Sequence, residues 1–590
     1  MEAQAKIAGS GDFSQAQGSA LFPQIEGYIA ASSQERMDEA LASLAEKKDD
    51  WLSVSIDERI AILDEIAEDA KGVEREWVGL AIEEKGFQTD AFNQAAEIIA
   101  YGAMFRYIRR LRQALLDIKL HQSPQFPGPI KTRADGQVTV GVFPQKWQDR
   151  LLFPNYSLEV WMEPGIKADE VSEKQAAAYR GTGQKGEIVL VLGAGNTSLL
   201  PLTDFMHKLF VDNKVVLLKP NPVNEYMGPL METAFQALIR RGFLQIVYGG
   251  IEEGSYLVEH ALTDEIHLTG SDKTFESIVY GSGPQGEERK ANKKPILAKK
   301  FAAELGNVSP VIVVPGPWSE DDIHYKAAHL ATMVVANAGS FCTTPRVIVQ
   351  HKSWDQREAF RNEVGEVLDK YPTTRAYYPG ALERHADIVK AHPEALHYGE
   401  PKEGHLPWTL IPDLDPEQKD DVSFSKESFC SLFAETALEA ESVVKYIEKA
   451  VDFANESLWG NLSVSIFVHP KSMADPAIAE AVDQAIAKLR YRTVAINDYG
   501  SLAYLMFMAP WGGFPGNEQH DIQSGTDVTN NPLMFSHPQK SVLYSPFQLR
   551  PSPLSIVSKD VVRVAKKFAK ADMSPSVGNM LSFAWTALQG

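Results

Sequence analysis

The chain has 590 residues, 44% of them hydrophobic and 23% charged, with a net charge of −20 from 58 basic and 78 acidic side chains. Its length calls for roughly two to four structural units, and an acidic surface that repels phosphodiester backbones excludes general nucleic-acid binding. No apolar run reaches the length of a membrane span, residues 1–18 lack the plan of a secretory signal, and the two cysteines exclude a disulfide framework and point to a reducing, cytoplasmic compartment.

Residues 1–33, rich in Gly, Ser, Ala and Gln, are expected to form a loose leader. Ser55 and Glu58 read as a capping box, and Ile60, Leu63, Ala67 and Ala70 follow at helical spacing. A second helix is predicted over 90–116. Arg106, Arg109, Arg110 and Arg112 fall at its end, where cations suit the macrodipole. Short strands are predicted at 138–142 and 158–162, and an exposed excursion at 167–185. Then the pattern alternates. Strands are predicted at 188–192, 214–218, 244–248 and 265–268, with helices at 199–210, 226–240 and 256–262. Such alternation means a parallel sheet covered on both faces. The Gly/Glu/Lys/Arg tract 282–300 reads as a disordered surface insertion. A buried strand is predicted at 311–314, an apolar helix at 327–338, and a second α/β block out to about 497. An amphipathic helix at 559–571 is expected to dock on the surface or on a partner chain.

Five positions can carry chemistry. Cys342 lies in Asn337-Ala-Gly-Ser-Phe-Cys-Thr-Thr-Pro-Arg346, a turn between an apolar helix and a strand. A lone thiol there is either an exposed nucleophile or a small buried hydrophobe. Gly193 and Gly195 follow a buried strand and open a helix, as either a dinucleotide-binding turn or a plain one; the third glycine of the usual fingerprint is replaced by Ser198. Lys219 ends the next strand, facing the ligand crevice of an α/β sheet or solvent. Leu268-Thr-Gly-Ser271 repeats the turn logic. Glu304 sits in an apolar segment, where burial tunes a carboxyl toward general-base work unless it is merely a cap or a paired acid.

In this order the motifs resemble those of the aldehyde dehydrogenase superfamily. The matching pieces are Gly195-Asn196, Leu217-Leu-Lys-Pro220, Leu268-Thr-Gly-Ser271, Glu304-Leu-Gly-Asn307, Asn337 to Cys342, Lys426-Glu-Ser-Phe429, Ala495-Ile-Asn497 and Pro510-Trp-Gly-Gly513, spread over about residues 35–545. The resemblance implies an α/β fold, aldehyde dehydrogenase-like: two parallel-sheet α/β domains (cofactor and catalytic) plus a small β oligomerisation element. The implied boundaries are 34–133 with 164–304 for the cofactor domain, 305–505 for the catalytic domain, 134–163 with 515–545 for the oligomerisation strands, and 546–590 for a C-terminal extension.

The implied chemistry is oxidation of an aldehyde by NAD or NADP through a thiohemiacetal and a thioester, with no metal. Cys342 is the expected nucleophile, Asn196 with the Cys342 backbone N–H the oxyanion clamp, and Glu304 the base that activates the hydrolytic water. Lys219 is expected at the adenosine ribose, Gly195, Gly270 and Ser271 along the dinucleotide, and Glu427 and Phe429 at the nicotinamide end. A small-molecule aldehyde is the expected partner, in a homodimer or homotetramer. The departures are Ala194-Gly195 in place of Pro-Trp, Pro222 in place of an NAD-favouring Glu, and Ser340 in place of Gln. The competing readings are a CoA-acylating dehydrogenase or acyl reductase, a dehydrogenase without a covalent step, and an inactive cofactor-binding protein.

Overall fold

The computed structural model describes residues 18–19, 22–23, 25, 27–181 and 183–589. Ser55 and Glu58 do cap one another, and the helix they open, Ile56–Lys85, is closed by Gly86 in the left-handed region that glycine tolerates. Asp90 caps the next helix, Ala91–His121. These two helices and Gln34–Ser53 pack around a five-stranded sheet, where the Trp51 indole N–H donates to Leu209 O at 3.2 Å.

That sheet runs Leu244–Ile246, Val215–Lys219, Ile188–Leu192, Glu265–Gly270, Lys300–Leu305, and every neighbouring pair is parallel. Its strands are nearly continuous apolar runs because both faces are covered. Chain order reverses between Ile188–Leu192 and Glu265–Gly270, which makes the carboxyl ends of those two strands the crevice where such sheets bind ligands.

Only Gly306, Asn307 and Val308 separate the last strand of this sheet from Ser309–Val313 in the next. The second sheet has 11 strands. Its parallel part runs from Trp408–Leu414 through Leu432–Leu438, Pro345–His351, Ser309–Val313, Ser463–Phe467 and Thr493–Ile496 to Pro538–Tyr544. Ser157–Met162, Val138–Phe143 and Ile130–Thr132 then continue it antiparallel. The strands expected to pair between copies are thus paired within the chain, and Ile130–Thr132 forms that end of the sheet.

Several expectations change. The helix expected at 256–262 is Ile251–Glu259, and the one at 226–240 breaks into Gly228–Ala234 and Gln236–Ile239. The tract at 282–300 is not an irregular insertion: it holds the helix Gly283–Ala291, started by Pro284 in its first turn and held by Lys290 to Glu276 at 2.5 Å. The second helix does not end at its arginines but continues to His121. Arg106 and Arg109 bind Asp572, Arg110 binds Asp149 at 2.9 Å, and Arg112 binds Asp64 at 2.8 Å.

Asp572 belongs to Val561–Met573, the expected C-terminal amphipathic helix, which lies along Ala91–His121 and is followed by a further helix, Val577–Gln589. The approach is close at Gly102, where a Cβ would stand 2.7 Å from Ala569 Cα. Asp572→Ala leaves the Arg106 guanidinium buried without its partner, so the variant should lose about 3 kcal/mol of unfolding free energy in urea titration, whereas Arg112→Ala, at an exposed pair, should lose under about 1 kcal/mol.

Candidate active site

The carboxyl end of Lys300–Leu305 leads through Gly306, Asn307 and Val308 to the amino end of Ser309–Val313 in the larger sheet, and the candidate residues are taken in turn from the elements around this junction. Glu304 comes from the strand Lys300–Leu305, is fully buried, and accepts from Thr529 Oγ1 at 2.9 Å. Burial above all, and then the charge of Asp204, push its carboxyl up to about 8, against the pull of Thr529 and the Trp511 indole. The carboxyl backbone is clamped from the other side. Leu305 N–H donates to Ser524 O at 3.0 Å, and a Cβ on Gly525 would lie 1.9 Å from Ala303 O.

Cys342 follows a tight turn after the helix Glu320–Val335. Asn337, Ala338 and Gly339 all adopt positive φ, at 53°, 55° and 72°. For two non-glycine residues this costs roughly 1–3 kcal/mol each and needs support. Asn337 N–H donates to Asn93 Oδ1 at 2.7 Å, Arg346 Nη2 donates to Gly339 O at 2.6 Å, and Ser309 Oγ donates to Cys342 O at 3.3 Å. At Gly339 a Cβ would stand 2.4 Å from Cys430 O. Cys342 is intermediate in exposure as a residue and packs against the core of the five-stranded sheet. Burial, followed by the charges of Glu304 and Glu427, holds it well above the ordinary cysteine range, with Arg346 pulling the other way.

Asn196 lies in the turn between Ile188–Leu192 and the helix Leu199–Phe210. Its Nδ2 donates to Ser340 O at 2.8 Å, so the amide braces the cysteine turn. Its backbone carbonyl accepts from Lys85 Nζ at 3.0 Å, Asn337 Nδ2 at 2.9 Å and the Tyr377 hydroxyl at 3.2 Å. Lys85 Nζ also donates to Glu97 at 2.7 Å and to Asn337 Oδ1 at 3.1 Å. Lys85, Glu97, Asn93, Tyr377 and Arg346 were not singled out from the chain; a lysine just before a helix-ending glycine carries no local mark of burial.

Lys219 ends its strand, buried, with burial pulling its ammonium down to about 8 against Glu225 and Glu253. Gly195 is pressed on Asn221, where a Cβ would stand 2.9 Å from Cγ. Gly270 is exposed, and Ser271 caps the helix Asp272–Tyr280, accepting from Thr274 N–H at 3.1 Å. Glu427 reaches the connector between the sheets, where a Cβ on Gly306 would stand 1.9 Å from its Oε2; burial raises its carboxyl to about 8. Phe429 is buried against Tyr378, ring centroids 4.8 Å apart. Trp511 and Trp459 are both buried; Trp511 lies beside Glu304.

A dinucleotide fits this donor and acceptor set. Glu427 Oε1 and Glu225 Oε2 are buried carboxylate oxygens without a hydrogen-bond partner among the described residues, the acceptors that ribose hydroxyls require. Lys219 supplies a cation and Gly270 leaves room for close backbone approach. A metal fits less well. The acids that converge, Asp212, Glu265 and Asp527, already hold Lys208 Nζ at 2.9, 3.0 and 2.9 Å.

Comparison with known proteins shows similarity to aldehyde dehydrogenases in fold and in part of the sequence. The model of the aldehyde dehydrogenase family matches residues 194–387. N-succinylglutamate 5-semialdehyde dehydrogenase of Novosphingobium aromaticivorans is 28% identical over 218 residues, 36% of this chain and 43% of that protein. 1-Pyrroline-5-carboxylate dehydrogenase 2 of Bacillus subtilis is 24% identical over 340 residues, 56% of this chain and 53% of that protein. The chain therefore spans about half the length of the curated relatives it matches. Among solved structures, lactaldehyde dehydrogenase from Escherichia coli superposes with a TM-score of 0.58 at 16% identity, covering 87% of this chain and 92% of the other. Glyceraldehyde-3-phosphate dehydrogenase from Methanocaldococcus jannaschii, complexed with NADP, gives 0.58 at 17% identity, covering 90% and 99%. The aldehyde dehydrogenase of Mycobacterium tuberculosis, complexed with NAD+, gives 0.57 at 18%, covering 88% and 92%.

Because the Cys342 thiol is raised, its alkylation by iodoacetamide should climb roughly tenfold per pH unit from pH 7 to 9 without levelling. Mass spectrometry of the modified peptide, with buried Cys430 as the internal comparison, reads this directly; a plateau below pH 8 contradicts it.

Proposed function

We propose that the chain, which has the fold of the aldehyde dehydrogenases and whose residues 194–387 match the model of that family, oxidises an aldehyde to a carboxylic acid with NAD or NADP. The observation that carries the proposal is the Cys342 turn held by the Asn196 amide and by Ser309, with the charges of Glu304 and Glu427 acting on its thiol. Cys342 is the nucleophile. Its sulfur adds to the aldehyde carbon, and the thiol proton leaves to a neighbouring base, giving a thiohemiacetal. When bound, the dinucleotide supplies the hydride acceptor, and a Cys342 thioester remains. Glu304 then takes a proton from water, which attacks the thioester and frees the acid and the thiol.

The site's own residues set the conditions. The Asn196 amide holds the Ser340 carbonyl and fixes the turn that presents the sulfur; in the reaction we assign the oxyanion to that amide and to the Cys342 backbone N–H. Lys219 and Glu225 hold the adenosine ribose, Gly195, Gly270 and Ser271 the pyrophosphate, and Glu427 with Phe429 the nicotinamide ribose. The cofactor lobe comprises 34–133 and 164–304 and the catalytic lobe 305–505. We place the protein in the cytoplasm, consistent with two free thiols, and read it as a homodimer joined at the open sheet edge of Ile130–Thr132.

Two measurements test this. Cys342→Ala should abolish aldehyde-dependent nucleotide reduction, a fall of at least about 10⁴-fold, while nucleotide binding stays within about twofold. Reduction that persists identifies a dehydrogenase without a covalent step, and turnover that requires coenzyme A identifies the acylating reaction. Independently, the hydrolytic step should follow Glu304. Its carboxyl is protonated below about 8 and becomes a base only above that pH. Single-turnover thioester hydrolysis should therefore rise about tenfold per unit up to pH 8 and then level, and Glu304→Gln should remove the dependence along with about 10²–10⁴ of the rate.

A further inference from the structure

We propose that the described residues Gly18, Ser19, Phe22, Pro23, Ile25 and Gly27 to Ile29 belong to a strap that occupies the dinucleotide crevice, so that the protein as folded is closed to its cofactor until the strap is displaced. The inference rests on the cofactor reading above, since it concerns the same crevice.

The strap touches each part of that crevice in turn. Gly18–Ser19 pairs in parallel with Lys426–Glu427, main chain to main chain. Ser19 N–H donates to Asp272 Oδ1 at 2.7 Å, one residue beyond the Ser271 cap. Gly18 is required there: its φ is 110°, and a Cβ would stand 2.0 Å from Asp272 Oδ2. Phe22 then sets its ring edge against Phe429 and Tyr378, at centroid distances of 5.6 and 5.2 Å, beneath the Arg384 guanidinium at 4.8 Å. At the far end Ile29 N–H donates to Glu225 Oε1 at 2.8 Å, and a Cβ on Gly27 would stand 1.8 Å from the same oxygen. Tyr28 meets Tyr226, and Ser32 closes the run through paired hydrogen bonds with Tyr248, both at 3.0 Å.

Glu427, Phe429, the Ser271–Asp272 cap and Glu225 beside Lys219 are also the groups that suit the dinucleotide. Backbone N–H groups of the strap meet the carboxylates that ribose hydroxyls need. Ile29 takes one oxygen of the Glu225 carboxyl, and the main chain of Gly18–Ser19 lies along Lys426–Glu427, so strap and dinucleotide compete for the same space. The hold is also light enough to release. Among the described residues of the strap Phe22 is the ring set against Tyr378 and Phe429, and Tyr28 is 59% exposed. A segment with few buried apolar contacts opens far more readily than the fold around it. A ligand for the open form then binds with an apparent Kd raised by the inverse of the open fraction.

The full-length protein and a full-length Phe22→Asp/Gly27→Glu double variant, which sets a second carboxylate against Glu225, are titrated with NADH and with NADPH by nucleotide fluorescence. Amide exchange of Ser19 and Ile29 is followed in the parent protein with and without saturating nucleotide. The variant should bind at least about tenfold more tightly, as expected for an open fraction below about one tenth in the parent, and the two parent amides should lose their protection when nucleotide binds. Equal affinity in the two proteins, or protection that survives saturation, overturns the strap while leaving the cofactor reading intact. Binding of neither nucleotide by either protein overturns the cofactor reading and the strap with it.

Discussion

The junction depends on one buried ammonium. Lys85 Nζ has three N–H donors, and Glu97, the Asn196 carbonyl and the Asn337 side chain supply three acceptors. Removing a charge from water costs several kcal/mol, which only such complete pairing offsets. The consequence is mechanical. The end of a long helix, the turn at the mouth of the five-stranded sheet and the turn before Cys342 share one hub, so none can shift without stranding the charge. The left-handed Asn337 and Ala338 persist because this hub and Asn93 over-determine them.

The electrostatics follow from the same burial. The charges of Glu304 and Glu427 both act on the Cys342 thiol, and burial raises each carboxyl to about 8. At neutral pH both are largely protonated, which spares the site two buried negative charges. In the proposed reaction their ionisation on the alkaline side is what would make Glu304 a base, yet each charge also opposes the thiolate. That reaction would therefore start from a neutral thiol that gives up its proton during attack rather than from a resting thiolate.

Much of this was legible in the chain because the signals were of the right kind. Runs such as Ile188–Leu192 and Val215–Lys219 are apolar throughout, since both sheet faces are covered, and the turns after them carry glycine. The capping box at Ser55 is local chemistry and reads directly. What escaped is what tertiary contact decides. Gly283–Ala291 is too polar to show a buried face, so only its packing against Asp272–Tyr280 makes it a helix. The arginines of Ala91–His121 look like a solvated end until the distant Asp572 arrives. Gly18, Ser19, Gly27 and Ile29 of the leader are held by main-chain N–H groups and by close approach at the two glycines, and neither leaves a pattern in composition.

The short connection between the two sheets explains why two acids from distant parts of the chain can be placed against one sulfur. Glu304 stands on the strand that enters the connection, and Asn307 leaves it, donating to Ser309 Oγ at 3.0 Å and to Ser463 O at 2.8 Å. Ser309 in turn holds the Cys342 carbonyl. Gly306 between them lacks a side chain because Glu427 fills that space. Glu304, Glu427 and the Cys342 turn are therefore all tied to the three-residue link Gly306 to Val308 and its neighbour Ser309, so a shift of the link would be felt by all three.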